Sequence, residues 1–128
     1  MSVDLTLLVW CVALTVLQTV LLAVGAMQQV GLPMLAGNRE NMPALTGWAD
    51  RAQRAHRNML ESLVLFAALV LVAHVTGKAN AMTALGAQLF FWGRLVYAGV
   101  YIAGVPWLRT VVWIVALAGL ILIFLQLV

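Results

Sequence analysis

The stretch from Arg51 to Val75, RAQRAHRNMLESLVLFAALVLVAHV, puts three arginines, an asparagine and a glutamate directly ahead of an uncharged apolar run. The apolar part, Leu63 to Val75, is 13 residues long. A membrane-spanning helix needs ~20 residues at ~1.5 Å each to cross a ~30 Å hydrocarbon layer. The run is too short to span alone, so the helix has to borrow length from Arg51 to Ser62. That draws Asn58 and Glu61 to or below the lipid headgroups, where an unpaired polar group is costly. Both side chains are expected to face protein rather than lipid.

Working outward, the rest of the chain reads the same way. It has 128 residues, 65% of them hydrophobic and only 9% charged, with a mean hydropathy of +1.06. Soluble domains average ~25% charged residues, so this composition implies an integral membrane protein. A first span is expected from Leu5 to Met27, a third from Ala81 to Ala103 and a fourth from Trp107 to Val128. Together with the helix that begins near Trp48-Ala49-Asp50, these use the whole length, so residues 1–128 read as a single four-span, all-α domain. Asp50 would be an N-cap or first-turn acid there. The segment from Gln28 to Asp50 holds Gly31, Pro33, Gly37, Pro43 and Gly47 and reads as a loop. Met1-Ser2-Val3-Asp4 lacks the positive start of a secretory signal, so none is expected.

Charge sets the expected orientation. Arg39, Arg51, Arg54 and Arg57 lie in or beside the first loop and Arg109 beside the third, whereas Lys78 alone marks the other side. The positive-inside rule puts the arginine-rich loops in the cytoplasm and both termini outside. Trp48 and Trp107 fit a cytoplasmic aromatic belt and Trp10 an outer one, while Trp92 and Trp113 read as packing residues. The few basic residues serve topology, so no nucleic-acid partner is implied. Cys11, the single cysteine, excludes an intrachain disulfide and reads as a small core or lipid-facing residue. No His, Cys or carboxylate spacing suggests a metal site, and no phosphate loop or hydrolase nucleophile motif is present.

Three groups of residues carry candidate chemistry. On a helical wheel Arg51, Arg54, Asn58 and Glu61 fall at about 0°, −60°, −20° and −80°, one stripe about 80° wide. Guanidinium groups match carboxylates and a glutamate matches an ammonium, so the stripe could hold a small zwitterion. A solvated face with topology-setting arginines would explain Arg51 and Arg57 but not Glu61. Arg94, Tyr97 and Tyr101 share one face of the third span. Arg94 lies ~18 Å along the helix from the Pro106 break, a depth like that of Glu61, so either an Arg94–Glu61 ion pair or a purely structural Arg94 with ordinary interface tyrosines is expected. Arg109 follows Pro106 at a helix start, where the dipole disfavours a cation. Either the positive-inside rule or an anionic ligand accounts for it. His56 falls off the stripe, at the cytoplasmic surface.

Taken together, Arg51-x-x-Arg54-Ala-x-x-x-Asn58-x-x-Glu61, Arg94-x-x-Tyr97-x-x-x-Tyr101 and Arg109 resemble the membrane-associated proteins in eicosanoid and glutathione metabolism, the MAPEG family, in its bacterial type. The resemblance covers nearly the whole chain. It implies a homotrimer of four-helix subunits, in a bacterial inner membrane, that binds glutathione as co-substrate between neighbouring subunits near the cytoplasmic face. By position, it implies that Arg54, Asn58 and Glu61 hold glutathione, that Tyr97 and Tyr101 add hydrogen bonds, and that Arg109 stabilises the thiolate. Arg51 joins the binding set through the stripe. Tyr97 is a second catalytic candidate, as a hydrogen-bond donor to the thiol. Family members often carry arginine at the end of the first helix, where Gln28 and Gln29 stand here.

The function expected is a glutathione-dependent transferase or peroxidase acting on a lipophilic electrophile or hydroperoxide drawn from the membrane lipid. The alternative is a non-catalytic lipid-binding or scaffold protein on the same fold, since the family includes such a member. A proton-coupled exporter would want an acid in a fully apolar span, and Glu61 sits among arginines instead.

Overall fold

The computed structural model describes residues 1–128 and is built entirely of helices. Four are long: α1 (Val3–Val30), α3 (Gly47–Val75), α4 (Ala81–Ala103) and α5 (Pro106–Leu127). A five-residue helix, α2 (Leu32–Ala36), lies in the first loop. By length and composition α1, α3 and α5 can each cross a membrane. Three such helices fit an integral membrane protein. α4 has 23 residues, also a spanning length, but carries Gln88 and Arg94.

The boundaries follow local chemistry. Asn80 caps α4, its side chain accepting from the amides of Met82 and Thr83 while Thr83 Oγ1 accepts from the Asn80 amide. Gly104 ends α4 at φ 84°, a left-handed conformation that glycine adopts without a Cβ penalty, and Pro106 opens α5. At the start of α3 the N-cap position is held by Thr46, without a side-chain bond, and Asp50 is the first-turn acid. α1 runs three residues beyond the expected Met27, to Val30. Gln29 explains the extension: its amide donates to the Thr46 carbonyl at 2.8 Å and accepts from the Thr46 N–H at 2.9 Å. The loop is thereby clamped to the end of α1.

The long helices alternate in direction. Gln29 of α1 meets Thr46 ahead of α3, and Arg51 meets Ile102 near the end of α4. At the other end Asp4 meets His74 and Thr83, and Lys78 meets the Leu127 carbonyl. The core between the helices is formed by Cys11, Leu14, Met59, Phe66, Val70, Ala87, Phe90, Ala116, Leu120 and Ile123. Phe66 of α3 and Phe90 of α4 stack with centroids 4.2 Å apart. α4 and α5 approach most closely at glycines: a Cβ on Gly86 would lie 2.7 Å from the Gly119 carbonyl oxygen.

Two expectations fail here. Trp92 is not a packing residue; it is 58% exposed on the outside of α4, with Phe91 edge-on beside it. Its side lies opposite the α4 face that holds Gly86, Gly93 and Arg94. His56 is not a surface residue; it is half-buried and pairs through Nε2 with Thr19 Oγ1 at 2.8 Å. The Thr19 hydroxyl donates to the Thr15 carbonyl, so the ring N–H is the donor to its oxygen. His56 thus ties α3 to α1.

Candidate functional site

The candidate residues gather where α3, α4 and α5 meet, toward the end formed by the first and third loops. α3 buries the face that carries Ala52, Ala55, Met59 and Phe66. On the wheel these lie near +70°, so Arg51 and Asn58 stand at the margin of the buried face and Arg54 and Glu61 about 60° further out. The stripe is therefore divided. Arg51 turns inward and donates through Nε to the Ile102 carbonyl at 2.8 Å, satisfying the C-terminal turn of α4. Asn58 turns inward toward α4. Arg54 is exposed and pairs with Asp50, one turn earlier, at 3.2 Å. Glu61 is exposed on the outer side of the chain.

Arg94 is the largest fully buried side chain, at 1% exposure. Its partner is not Glu61 but Asn58: Nη1 donates to Asn58 Oδ1 at 2.7 Å. Depth alone suggested the ion pair; the angular offset of Glu61 from Asn58 removes it. The guanidinium also lies over the Tyr97 ring, 4.3 Å from its centroid. Arg94 Nε and Nη2 are buried without a hydrogen-bond partner. Tyr97 and Tyr101 follow on the same face of α4, with centroids 5.5 Å apart, and the Arg109 guanidinium covers the Tyr101 ring at 4.7 Å.

Two cavities result. One, of about 210 Å³, is lined by Asn58, Tyr97, Arg109, Thr110 and Trp113. The other, of about 190 Å³, is lined on its polar side by Asn58, Glu61, Ser62 and Arg94 and on its apolar side by residues including Leu65, Phe90 and Trp113. They adjoin across Asn58 and Trp113. Neither alone reaches the ~300 Å³ at which small-molecule pockets begin, but the two together do. An apolar groove lined by Leu65, Leu69, Leu117, Leu120, Ile121 and Phe124 continues from the second cavity along α3 and α5.

Of the candidates, Asn58, Tyr97 and Arg109 converge on one cavity, Glu61 lines the next, and Tyr101 lies beneath Arg109. Arg51 and Arg54 line neither. Trp113, which lines both, was read from sequence as a packing residue; its place one turn after Arg109 on α5 is the signal that marks it. No group of His, Cys, Asp and Glu could hold a metal ion.

A family model described as "MAPEG family" matches residues 5–128. The chain belongs to the MAPEG family. Comparison with curated proteins and with solved structures gives no match. MAPEG membership supports a glutathione-related function in the membrane at the level of the family. The donor set fits such a ligand in one further respect. The Arg109 guanidinium and the Asn58 amide, which line these cavities, are donors that suit an anionic peptide.

Proposed function

We propose that the protein is a glutathione-dependent transferase or peroxidase whose site lies at the convergence of Asn58, Tyr97 and Arg109 on one cavity. That convergence is the observation that carries the reading. Glutathione is a tripeptide with two carboxylates, an ammonium and a thiol. Arg54 and Asn58 meet its acceptors, Glu61 takes the ammonium, and Tyr97 and Tyr101 add hydrogen bonds. Arg51, committed to the Ile102 carbonyl, contributes charge at the rim. A free thiol has a pKa of ~8.5, and a neighbouring cation favours the thiolate. Arg109 supplies that cation. The thiolate sulfur then bonds to an electrophilic carbon, or to a hydroperoxide oxygen, and the electron pair of the broken bond leaves with the displaced group. The apolar groove from Leu65 to Phe124 brings the lipophilic substrate from the bilayer.

The assembly follows the same logic. Glu61 and Arg54 stand on the outside of a single chain, yet Glu61 lies ~15 Å along α3 from Arg51, too deep for lipid. A second and third copy packed against this face would cover it, which supports a homotrimer of four-span subunits with the site between them. The arginine-rich end faces the cytoplasm and both termini face outside, in a bacterial inner membrane. Isothermal calorimetry with glutathione on the detergent-solubilised protein tests the reading, followed by conjugation to a lipophilic aryl halide. Saturable binding with turnover is expected. Absence of binding overturns it, and binding without turnover on any electrophile or hydroperoxide favours a scaffold.

A further inference from the structure

Arg94 stands outside the set of residues that would touch glutathione, yet two members of that set rest on it. Guanidinium groups donate only. The Asn58 atom 2.7 Å from Arg94 Nη1 is therefore the carbonyl oxygen, and the amide cannot be turned the other way round. Its Nδ2 makes no hydrogen bond within the chain and is left for the cavities that Asn58 lines. The same guanidinium stacks on the Tyr97 ring, fixing the second wall of that space.

The residue type matters as much as the geometry. An aspartate at position 58 would also bond to Arg94, and more strongly, but it would cancel the buried charge and show an acceptor to the ligand. Asparagine passes on the hydrogen bond and leaves the charge of Arg94 uncompensated. No carboxylate neutralises it, and Nε and Nη2 are without partners.

We propose that Arg94 is a positioning residue that locks the Asn58 amide with its NH2 toward the ligand, so that this corner of the site accepts only a hydrogen-bond acceptor, a thiolate or carboxylate of glutathione. The ammonium is directed by exclusion to Glu61, one turn deeper. This rests on the glutathione reading above and adds an orientation to it.

Three variants test it, with glutathione as the probe. Asn58→Asp keeps the bond to Arg94 and removes the outward donor. Its melting temperature should equal or exceed that of wild type, while glutathione affinity falls at least ~10-fold, as for loss of a hydrogen bond to a charged group. Arg94→Met frees the amide to turn. It should raise KM for glutathione about as much while kcat at saturation, set by Arg109, changes less than ~3-fold. Arg94→Lys retains a donor and should restore most of the affinity. A merely structural Arg94 would instead lower kcat through the folded fraction and leave KM unchanged. Wild-type affinity in Asn58→Asp overturns the proposal, as does an Arg94→Lys that binds as poorly as Arg94→Met. Should Arg94→Met fail to fold, Asn58→Asp still decides. Failure of wild type to bind glutathione removes the function, whereas a lower melting temperature for Asn58→Asp than for Asn58→Leu removes the fixed amide.

Discussion

Arg109→Ala separates structure from catalysis at the proposed site. Arg109 is half-buried, and its one defined contact within the chain is the Tyr101 ring, 4.7 Å from the guanidinium carbon. A cation–π contact at a partly exposed position contributes ~0.5–1 kcal/mol, so the variant should fold. The chemical effect is larger and depends on pH. With an unperturbed thiol pKa of ~8.5, about 3% of glutathione is thiolate at pH 7. If the cation lowers the bound thiol by about two units, some 75% is ionised at that pH. Ionisation alone then makes wild type ~25-fold faster at pH 7, and the advantage shrinks to ~1.3-fold at pH 9, where the variant ionises its own thiol. Stabilisation of charge in the transition state multiplies this, so the total loss at pH 7 falls within ~25- to 1000-fold in kcat. The assay is kcat at saturating glutathione from pH 6 to 9, with the ultraviolet absorbance of the thiolate read in parallel. A wild-type to variant ratio that stays constant across this range would refute the role of Arg109 in ionising the thiol. Full turnover and a full thiolate signal in Arg109→Ala would pass the role to Tyr97.

The remaining predictions probe the scaffold and the rim. Gly86→Ala should destabilise by ~1–3 kcal/mol, because its Cβ would press on the Gly119 carbonyl and Ile123. Gly99→Ala, with nothing within 4 Å of its Cβ, should stabilise by ~0.5–1 kcal/mol; thermal midpoints moving the same way would contradict this packing. Glu61→Gln should leave the thermal midpoint unchanged, since Glu61 has no partner within the chain, and should weaken glutathione binding by calorimetry. A lowered midpoint would restore the Arg94 pairing. Asp4→Asn should cost ~1–3 kcal/mol, because Asp4 is 3% exposed and bonded to His74 and Thr83. Its glutathione affinity should not change, and a fall would mean that the two ends of the molecule are coupled.

What the sequence made legible is what lies along one helix. The third span reads from Ala81 to Ala103, ahead of the Pro106 break, and α4 has these limits. The wheel of α3 found the polar stripe. It could not tell that α4 covers one margin of that stripe, and so it paired Arg94 with Glu61 on depth alone. The same blindness applies wherever two helices must be registered against each other. His56 looked like a surface residue because its partner, Thr19, is 37 positions away. The cluster of Asp4, His74 and Thr83 joins three helices and has no local signature at all. Trp113 was misread because periodicity reports burial but not the presence of a cavity.

The two ends of the molecule handle charge differently, and the difference bears on function. At the end bearing the termini, polar groups compensate one another: Asp4 is paired with His74, Lys78 donates to the Leu127 carbonyl, and the Asn80 amide meets Gln126. At the other end three groups are left without such compensation. Arg94 is buried with two idle donors, Arg109 rests on an aromatic ring, and the outward amide of Asn58 is unused. Burying an unpaired guanidinium is strongly unfavourable, and an apolar side chain of similar volume would often serve the fold as well or better. Stability of the chain therefore gives no reason for Arg94 to stand where it does. Its hold on the Asn58 amide does, because that bond leaves the NH2 group for the space that Asn58 lines. Asn58 and Arg109 line one open crevice together with Tyr97 and Trp113. That geometry suits a small anionic molecule held in the crevice.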